Sequence, residues 1–123
     1  MDFDHEKLDV YKATIEFVVL AEQLIENLPR GKAYLADQLQ RAATSVLLNI
    51  AEGAGEYSGN EKNSFYRMAK RSATECAGIY DICKRLGLVQ EDQYMTARTL
   101  LLRIVSMLIK MAQGSVTSGT GTT

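Results

Sequence analysis

The chain is poor in residues that interrupt helices and in residues that often carry catalysis. It has one proline, one histidine and no tryptophan. With so little proline, long uninterrupted helices are expected. The one histidine, His5, leaves no pair for acid–base catalysis and no Glu-x-x-His pairs for a di-iron bundle. These absences predict a helical protein that is not an enzyme and has no cofactor.

Cysteine is also scarce, and the two that occur do not suit a disulfide or a metal site. Cys76 and Cys83 are seven residues apart, which on one helix is about 10 Å along the axis. That separation exceeds the reach of a disulfide. No histidine or further cysteine accompanies them for zinc. We therefore predict two small buried side chains in a reducing compartment.

Targeting and membrane-spanning patterns are missing as well. Residues 1–7 are acidic and lack an apolar run behind a basic start, which argues against a signal peptide. The longest apolar stretch, residues 100–111, contains Arg103 and Lys110 and is too short to cross a bilayer. A cytoplasmic location without membrane contact is expected.

Charge is nearly balanced overall but unevenly distributed. The net charge is −1, yet residues 1–60 contain ten acids and five bases, whereas residues 61–123 contain five acids and nine bases. Such a dipolar chain can attract a partner, or another copy of itself, to one face. The near-neutral total is not typical of a strongly basic nucleic-acid binder.

Hydrophobic periodicity predicts four helices, at about residues 5–28, 32–54, 58–86 and 91–113. The residues predicted to face inwards are Leu35, Leu39, Ala42, Val46 and Ile50 on helix two; Phe65, Ala69, Ser72, Cys76, Ile79 and Cys83 on helix three; and Tyr94, Ala97, Leu101, Ile104, Leu108 and Met111 on helix four. Their similar lengths and short connections favour an all-α, up-down-up-down antiparallel four-helix bundle over residues 1–113. Ser58 and Glu61 have the spacing of a capping box at the start of the third helix. Residues 114–123 are rich in Gly, Ser and Thr and lack periodicity, so a flexible tail is predicted.

Helices one and four carry more apolar surface than one core needs. Three- and four-residue steps predict an inner face on helix one made of Leu8, Tyr11, Ile15, Val18, Ile25 and Leu28. Five further apolar residues lie outside this inner face and form the surplus; they are Val10, Phe17, Val19, Leu20 and Leu24. Helix four is apolar over most of its circumference between residues 99 and 109. A homo-oligomer would cover this surplus; the alternative is a monomer with scattered exposed hydrophobic residues.

A polar stripe lies beside the apolar face of helix two. Its residues follow at three- or four-residue steps, and two residues of helix three are spaced to meet them; the set is Gln38, Arg41, Ser45, Asn49, Glu52, Ser72 and Glu75. Pairs such as Arg41–Glu75 or Asn49–Glu52 would form a hydrogen-bonded network that fixes helix register. The alternative role for the stripe is contact with a ligand or RNA.

Helix three also carries a basic cluster, formed by Arg67, Lys70, Arg71, Lys84 and Arg85. Repeated by symmetry in an oligomer, these cations would make a multivalent surface for phosphates. No RNA-recognition motif with stacking aromatic residues accompanies them. Nucleic-acid binding is the interpretation that this cluster favours.

Three segments resemble a known family. Residues 38–55, QLQRAATSVLLNIAEGAG, are similar to its QLRRAA-S-x-x-x-NIAEG-x-G segment; residues 8–13, LDVYKA, to its opening; and residues 65–75, FYRMAKRSATE, to its third helix. The likeness covers about residues 6–112. The family is the bacterial four helix bundle protein family, or 23S rRNA intervening-sequence protein. The resemblance implies a ring-like homopentamer and kinship with accessory variability proteins of diversity-generating retroelements, which bind a reverse transcriptase and nucleic acid.

The sequence as a whole predicts a non-enzymatic, self-associating bundle. Its predicted partners are further copies of itself and either RNA or a nucleic-acid-processing protein. A protein-interaction scaffold that binds no nucleic acid is the alternative.

Overall fold

The structure, a computed structural model, describes residues 2–120, with side chains to Ala112. After a 3₁₀ turn at Asp4–Lys7 come α1 (Asp9–Asn27), α2 (Ala33–Ala54), α3 (Gly59–Arg85) and α4 (Glu91–Thr120). Helix α1 packs against α2 and α4, and α3 packs against α2 and α4. Consecutive helices joined by short turns are therefore neighbours around one core, as in an up-down-up-down bundle. The predicted all-α fold is confirmed.

Local sequence explains where the helices end. Gly31, with φ of +88°, lies in the turn after Pro29. At the end of α3, Gly87 has φ of +71°, the left-handed conformation that glycine adopts most readily. The amide of Leu88 donates to the carbonyl of Cys83 at 2.8 Å and that of Gly87 to Lys84, the Schellman pattern. At the start of α3, Ser58 Oγ accepts from the amide of Glu61 at 3.4 Å, which is half of the predicted capping box.

The core confirms the predicted inner faces of α2 and α4. All five residues predicted for α2 are buried, as are five of the six predicted for α4; these are Leu35, Leu39, Ala42, Val46 and Ile50, with Tyr94, Ala97, Leu101, Ile104 and Leu108. Met111 is half-buried. On α3, Phe65 and Ser72 are half-buried, and the other four predicted residues are fully buried.

The predicted inner face of α1 is wrong. The buried apolar residues of α1 are Val10, Ala13, Phe17, Ala21 and Leu24. Tyr11, Val18 and Ile25 only flank the core, and Ile15 is 40% exposed. Three of the residues assigned to the surplus thus form the core stripe, at seven-residue steps. The helix is rotated towards them because Phe17 is the largest apolar side chain available to fill the centre.

The prediction for residues 114–123 is not tested by the part of the chain that the structure describes. Helix α4 extends to Thr120, but the side chains beyond Ala112 and residues 121–123 lie outside the described part of the chain. A flexible tail therefore stays a prediction. Among the described residues, no helix is both long enough and apolar enough to cross a membrane.

Both cysteines are free and buried, as predicted. Burial, helped by the charge of Glu75, raises the pKa of the Cys76 thiol from 9.0 to about 12, and burial also raises the pKa of Cys83. At pH 8, Cys76 therefore holds about a thousandfold less thiolate in the folded protein than in the unfolded chain.

We expect both thiols to resist iodoacetamide at pH 8 in the native protein and to react readily in urea. Mass spectrometry of the alkylated chain measures this difference. Because the folded state favours the neutral thiol, this contribution to stability is complete below pH 9 and is lost as the pH rises towards 12. Fast labelling of the native protein would show that α3 does not bury these side chains.

Candidate functional site

Three cations form an exposed cluster on the first half of α3. Arg67, Lys70 and Arg71 are all exposed and, with Thr74, line one shallow depression. They lie on adjacent turns because α3 places residues three and four apart on one face. In the part of the chain with described side chains, the one ion pair is Lys84–Glu91, so the cluster has no carboxylate bound to it. Three free cations within about two turns can contact successive phosphates.

The other two predicted cations lie elsewhere. Lys84 Nζ sits 4.3 Å above the ring of Tyr94 and 3.5 Å from Glu91 Oε1, so its side chain is attached to α4. Arg85 is exposed in the last turn of α3, where a cation stabilises the helix dipole. Lys84 begins 14 residues after Lys70, about 21 Å along the axis. The predicted patch therefore divides into a three-residue cluster and a separate pair near the α3–α4 turn.

Part of the polar stripe meets across the α2–α3 interface. The hydroxyls of Ser45 and Ser72 are 2.8 Å apart, one donating to the other. Asn49 Nδ2 donates to Ser45 Oγ at 3.0 Å and to the Ser45 carbonyl at 2.9 Å. All three residues are half-buried. The structure thus brings together the central members of the stripe, and their bonds join two helices at a defined register.

The other members of the stripe, three charged residues and Gln38, are not part of this network. Gln38, Arg41, Glu52 and Glu75 are exposed. Within the described side chains, no hydrogen bond or ion pair joins Arg41 to Glu75, nor Asn49 to Glu52. Arg41 and Glu52 instead line an open groove along α2, together with the exposed side chain of Leu48. The network is smaller than predicted because long charged side chains gain little from pairing when water can solvate them.

The α2–α3 turn holds interactions that the sequence analysis missed. Lys62 Nζ donates to the carbonyls of Gly53 and Ala54, at 3.1 and 3.0 Å, which satisfies the free end of α2. A hydrogen bond with Glu61 raises the pKa of the nearby Glu56 carboxyl, with smaller contributions from burial and neighbouring carboxylates. A lysine shortly after a Gly-x-Gly helix end is the sequence signal for this capping.

Helices α2 and α3 approach each other closely at Gly53. A Cβ at this position would lie 2.7 Å from Tyr66 Cε1 and 3.0 Å from Phe65 Cβ. Only glycine leaves room for the aromatic ring, which is 4% exposed. The contact places α2 and α3 near enough for the Ser45–Ser72 bond, which lies about two turns away.

Neither the cluster nor the stripe contains the groups of a metal site. Across the described residues, no three His, Cys, Asp or Glu side chains are grouped to hold a metal ion. The chemistry that these surfaces offer is hydrogen bonding and attraction of anions.

The sequence pattern of one protein family matches residues 6–110, almost the whole bundle. The chain belongs to the 23S rRNA-intervening sequence protein family. In this 23S rRNA-intervening sequence protein, the matched range contains the Ser45–Asn49–Ser72 network, the close contact at Gly53 and the basic cluster. The resemblance read from the three sequence segments is thereby confirmed at the level of the family.

A solved structure shows the same fold. It is that of a protein of unknown function from the S23 ribosomal protein family of Bacteroides thetaiotaomicron VPI-5482. The two chains are 22% identical, with a TM-score of 0.77, over 84% of this 23S rRNA-intervening sequence protein and 97% of the other chain. No curated protein matches the sequence.

Proposed function

We propose that this protein is a non-enzymatic, self-associating bundle that binds structured RNA through Arg67, Lys70 and Arg71. The observation that carries the proposal is the cluster itself: three exposed cations line one depression, and none is neutralised by a carboxylate in the described part of the chain. Neutralising phosphates releases their bound counterions, which supplies the affinity of such surfaces.

The form of the site favours recognition of the phosphate backbone over recognition of bases. Its lining is Arg67, Lys70, Arg71 and Thr74, with no aromatic ring on which a base would stack. Arginine pairs with phosphate in a bidentate manner, and a threonine hydroxyl can donate a further bond. Binding should therefore depend on the shape and charge density of the RNA more than on its sequence.

Self-association makes a small cluster effective. One copy supplies three cations, whereas a ring repeats them at fixed distances, and linked weak contacts bind far more tightly than one contact. A homopentamer is what the family resemblance implies, and we include it in the proposal. We also include a bacterial cytoplasmic location and the kinship with accessory variability proteins, whose partners are nucleic acid and a reverse transcriptase.

The test reverses the cluster. In an Arg67→Glu/Lys70→Glu/Arg71→Glu variant, we expect the steep salt dependence of RNA binding to disappear, with the slope of log K against log salt falling by about 3. Fluorescence anisotropy of a labelled structured ribosomal RNA fragment, titrated at several salt concentrations, measures the slope. All three side chains are exposed, so the bundle should stay folded.

The matched control is Lys7→Glu/Lys12→Glu/Arg30→Glu, which changes the net charge equally at exposed positions outside the cluster. This control should bind RNA with a nearly unchanged slope. Equal loss in both variants would show that only net charge matters, and unchanged binding in the cluster variant would place the site elsewhere.

A protein-interaction scaffold is the second candidate function. The observation favouring it is the groove along α2, where Leu48 is 54% exposed beside the polar residues Arg41 and Glu52. A partner protein held there by apolar contact would bind with little dependence on salt. The salt slope thus distinguishes the two functions.

A further inference from the structure

Helix α4 has a second apolar stripe in addition to the one that fills the core. Met95, Leu102 and Ile109 follow at seven-residue steps and are 47%, 56% and 39% exposed. Arg98 and Val105 lie between them. Alternating three- and four-residue steps are the spacing by which one helix packs against another. This stripe has the pattern of a helix–helix seam, but within the described part of the chain no helix covers it.

The stripe borders a groove between α4 and α3. On α3 the groove is lined by the small residues Ala73, Thr74 and Ala77 and then by Tyr80 and Asp81, and on α4 by residues that include Leu102 and Val105. Its volume is about 210 Å³. Small side chains on one wall and larger apolar ones on the other leave space into which the side chains of another helix can insert.

The charge around the groove determines which kind of helix fits. Arg98 and Asp81 line it, and the Asp81 carboxylate accepts a hydrogen bond from the Tyr94 hydroxyl at 2.6 Å. Arg103 and Lys110 are exposed on α4. Between residues 93 and 112, α4 contains no acid. Two α4 stripes facing each other across a twofold axis would bring the cations of both α4 helices together, and this repulsion disfavours symmetric pairing. An acidic amphipathic helix is the complementary partner.

The chain itself contains such a helix. Ile15 and Val19 of α1 are 40% and 55% exposed and lie one turn apart on the outer surface. Glu16, Glu22 and Glu26 are exposed on the same helix, which holds four acids and one base. Thus α1 presents an apolar pair with acidic neighbours, opposite in charge to the groove.

We propose that α1 of one copy docks into the α3–α4 groove of a second copy, with Ile15 and Val19 packed on the Leu102 side of α4 and the α1 carboxylates near Arg98. This inference rests on the self-association proposed above and names the two surfaces that carry it. Each copy has one groove and one α1, so the contact is head-to-tail. Such contacts close into a ring when the rotation between copies allows it.

The test uses two single substitutions, one on each of the two surfaces proposed to be in contact. Leu102→Asp damages the groove, and Val19→Asp damages the α1 face; both side chains are more than half exposed, so the fold should tolerate either change. Each buries an unpaired carboxylate if the contact forms. We expect each purified variant to have the mass of one 13.6 kDa chain by light scattering, with unchanged helical circular dichroism.

Mixing the two variants provides the decisive measurement. The intact α1 of Leu102→Asp should dock into the intact groove of Val19→Asp, giving a complex of two chains and no larger species. Leu48→Asp is the matched control, because Leu48 is equally exposed but lies on α2, away from both surfaces. It should keep the mass of the unaltered protein.

Any of four results would overturn the inference. If both variants keep the mass of the unaltered protein, or if they are monomeric and do not combine, the contact is not this one. If Leu48→Asp alone disrupts assembly, the interface lies on α2, and the proposed self-association survives without this assignment. If the unaltered protein is itself a monomer, self-association and this contact both fail, while RNA binding is judged separately by its own titration.

Discussion

Replacing Phe17 with alanine should lower the free energy of unfolding by about 3–5 kcal/mol. Phe17 is fully buried, and its ring centroid lies 5.9 Å from that of Tyr80, at a tilt of 53°. With alanine, the protein would lose the buried Phe17 ring and its tilted contact with Tyr80, and a cavity would remain in the core between α1 and α3. Urea denaturation followed by circular dichroism at 222 nm measures the change. A loss of this size leaves a small domain close to its unfolding threshold.

The control is Ile15→Ala, which truncates another apolar side chain of the same helix. Ile15 is 40% exposed, so we expect a loss of at most about 1 kcal/mol. Both substitutions should be compared in a Leu102→Asp background, because Ile15 also belongs to the proposed contact between copies. If Ile15→Ala costs as much as Phe17→Ala, α1 faces the core with the stripe expected from the sequence and not with Phe17.

This comparison of two residues also shows where sequence analysis succeeds and fails on this fold. Helix α2 has one apolar stripe, so periodicity identifies its buried face, including Leu39 and Val46. Helix α1 has two overlapping stripes, and periodicity does not tell which one meets the core. Seven-residue spacing does not distinguish them either, because Tyr11, Val18 and Ile25 share it with Val10, Phe17 and Leu24. Ala13 and Ala21, between these residues, let the neighbouring helices approach.

For the candidate site, too, the sequence analysis is right for some residues and wrong for others. The stripe on α2 predicted that Ser45 and Asn49 would meet α3, and short side chains with little freedom do so. The prediction for Arg41 and Glu75 required two long side chains to give up water for one another, and they remain exposed. The sequence analysis treats the five basic residues of α3 as one patch because they lie on one helix. The distance between Lys70 and Lys84 along the helix axis is too long for one patch, so Lys84 is separate from the cluster.

Replacing Gly53 with alanine should lower the free energy of unfolding by about 1–2 kcal/mol. Alanine is the better helix former, by up to about 1 kcal/mol. Here its Cβ would lie 2.7 Å from Tyr66 Cε1 and 3.0 Å from Phe65 Cβ. The Tyr66 ring is 4% exposed and has little room to move, and Phe65 Cβ moves only if α3 moves with it. Overpacking of this kind costs about 1–3 kcal/mol and exceeds the gain in helix propensity. Chemical denaturation of both proteins measures the difference.

Gly78→Ala is the matched control, since this glycine lies inside α3 and its added Cβ would meet nothing within 4 Å. It should raise the free energy of unfolding by about 0.5–1 kcal/mol. Opposite signs for the two substitutions would show that Gly53 is required for the approach of α2 to α3 and not for backbone freedom. In a Tyr66→Leu background, Gly53→Ala should cost less than in the unaltered protein, because the smaller side chain makes room for the methyl group. A stabilising effect of Gly53→Ala alone would mean that the helices lie further apart, and the Ser45–Ser72 hydrogen bond that depends on their approach would then fail as well.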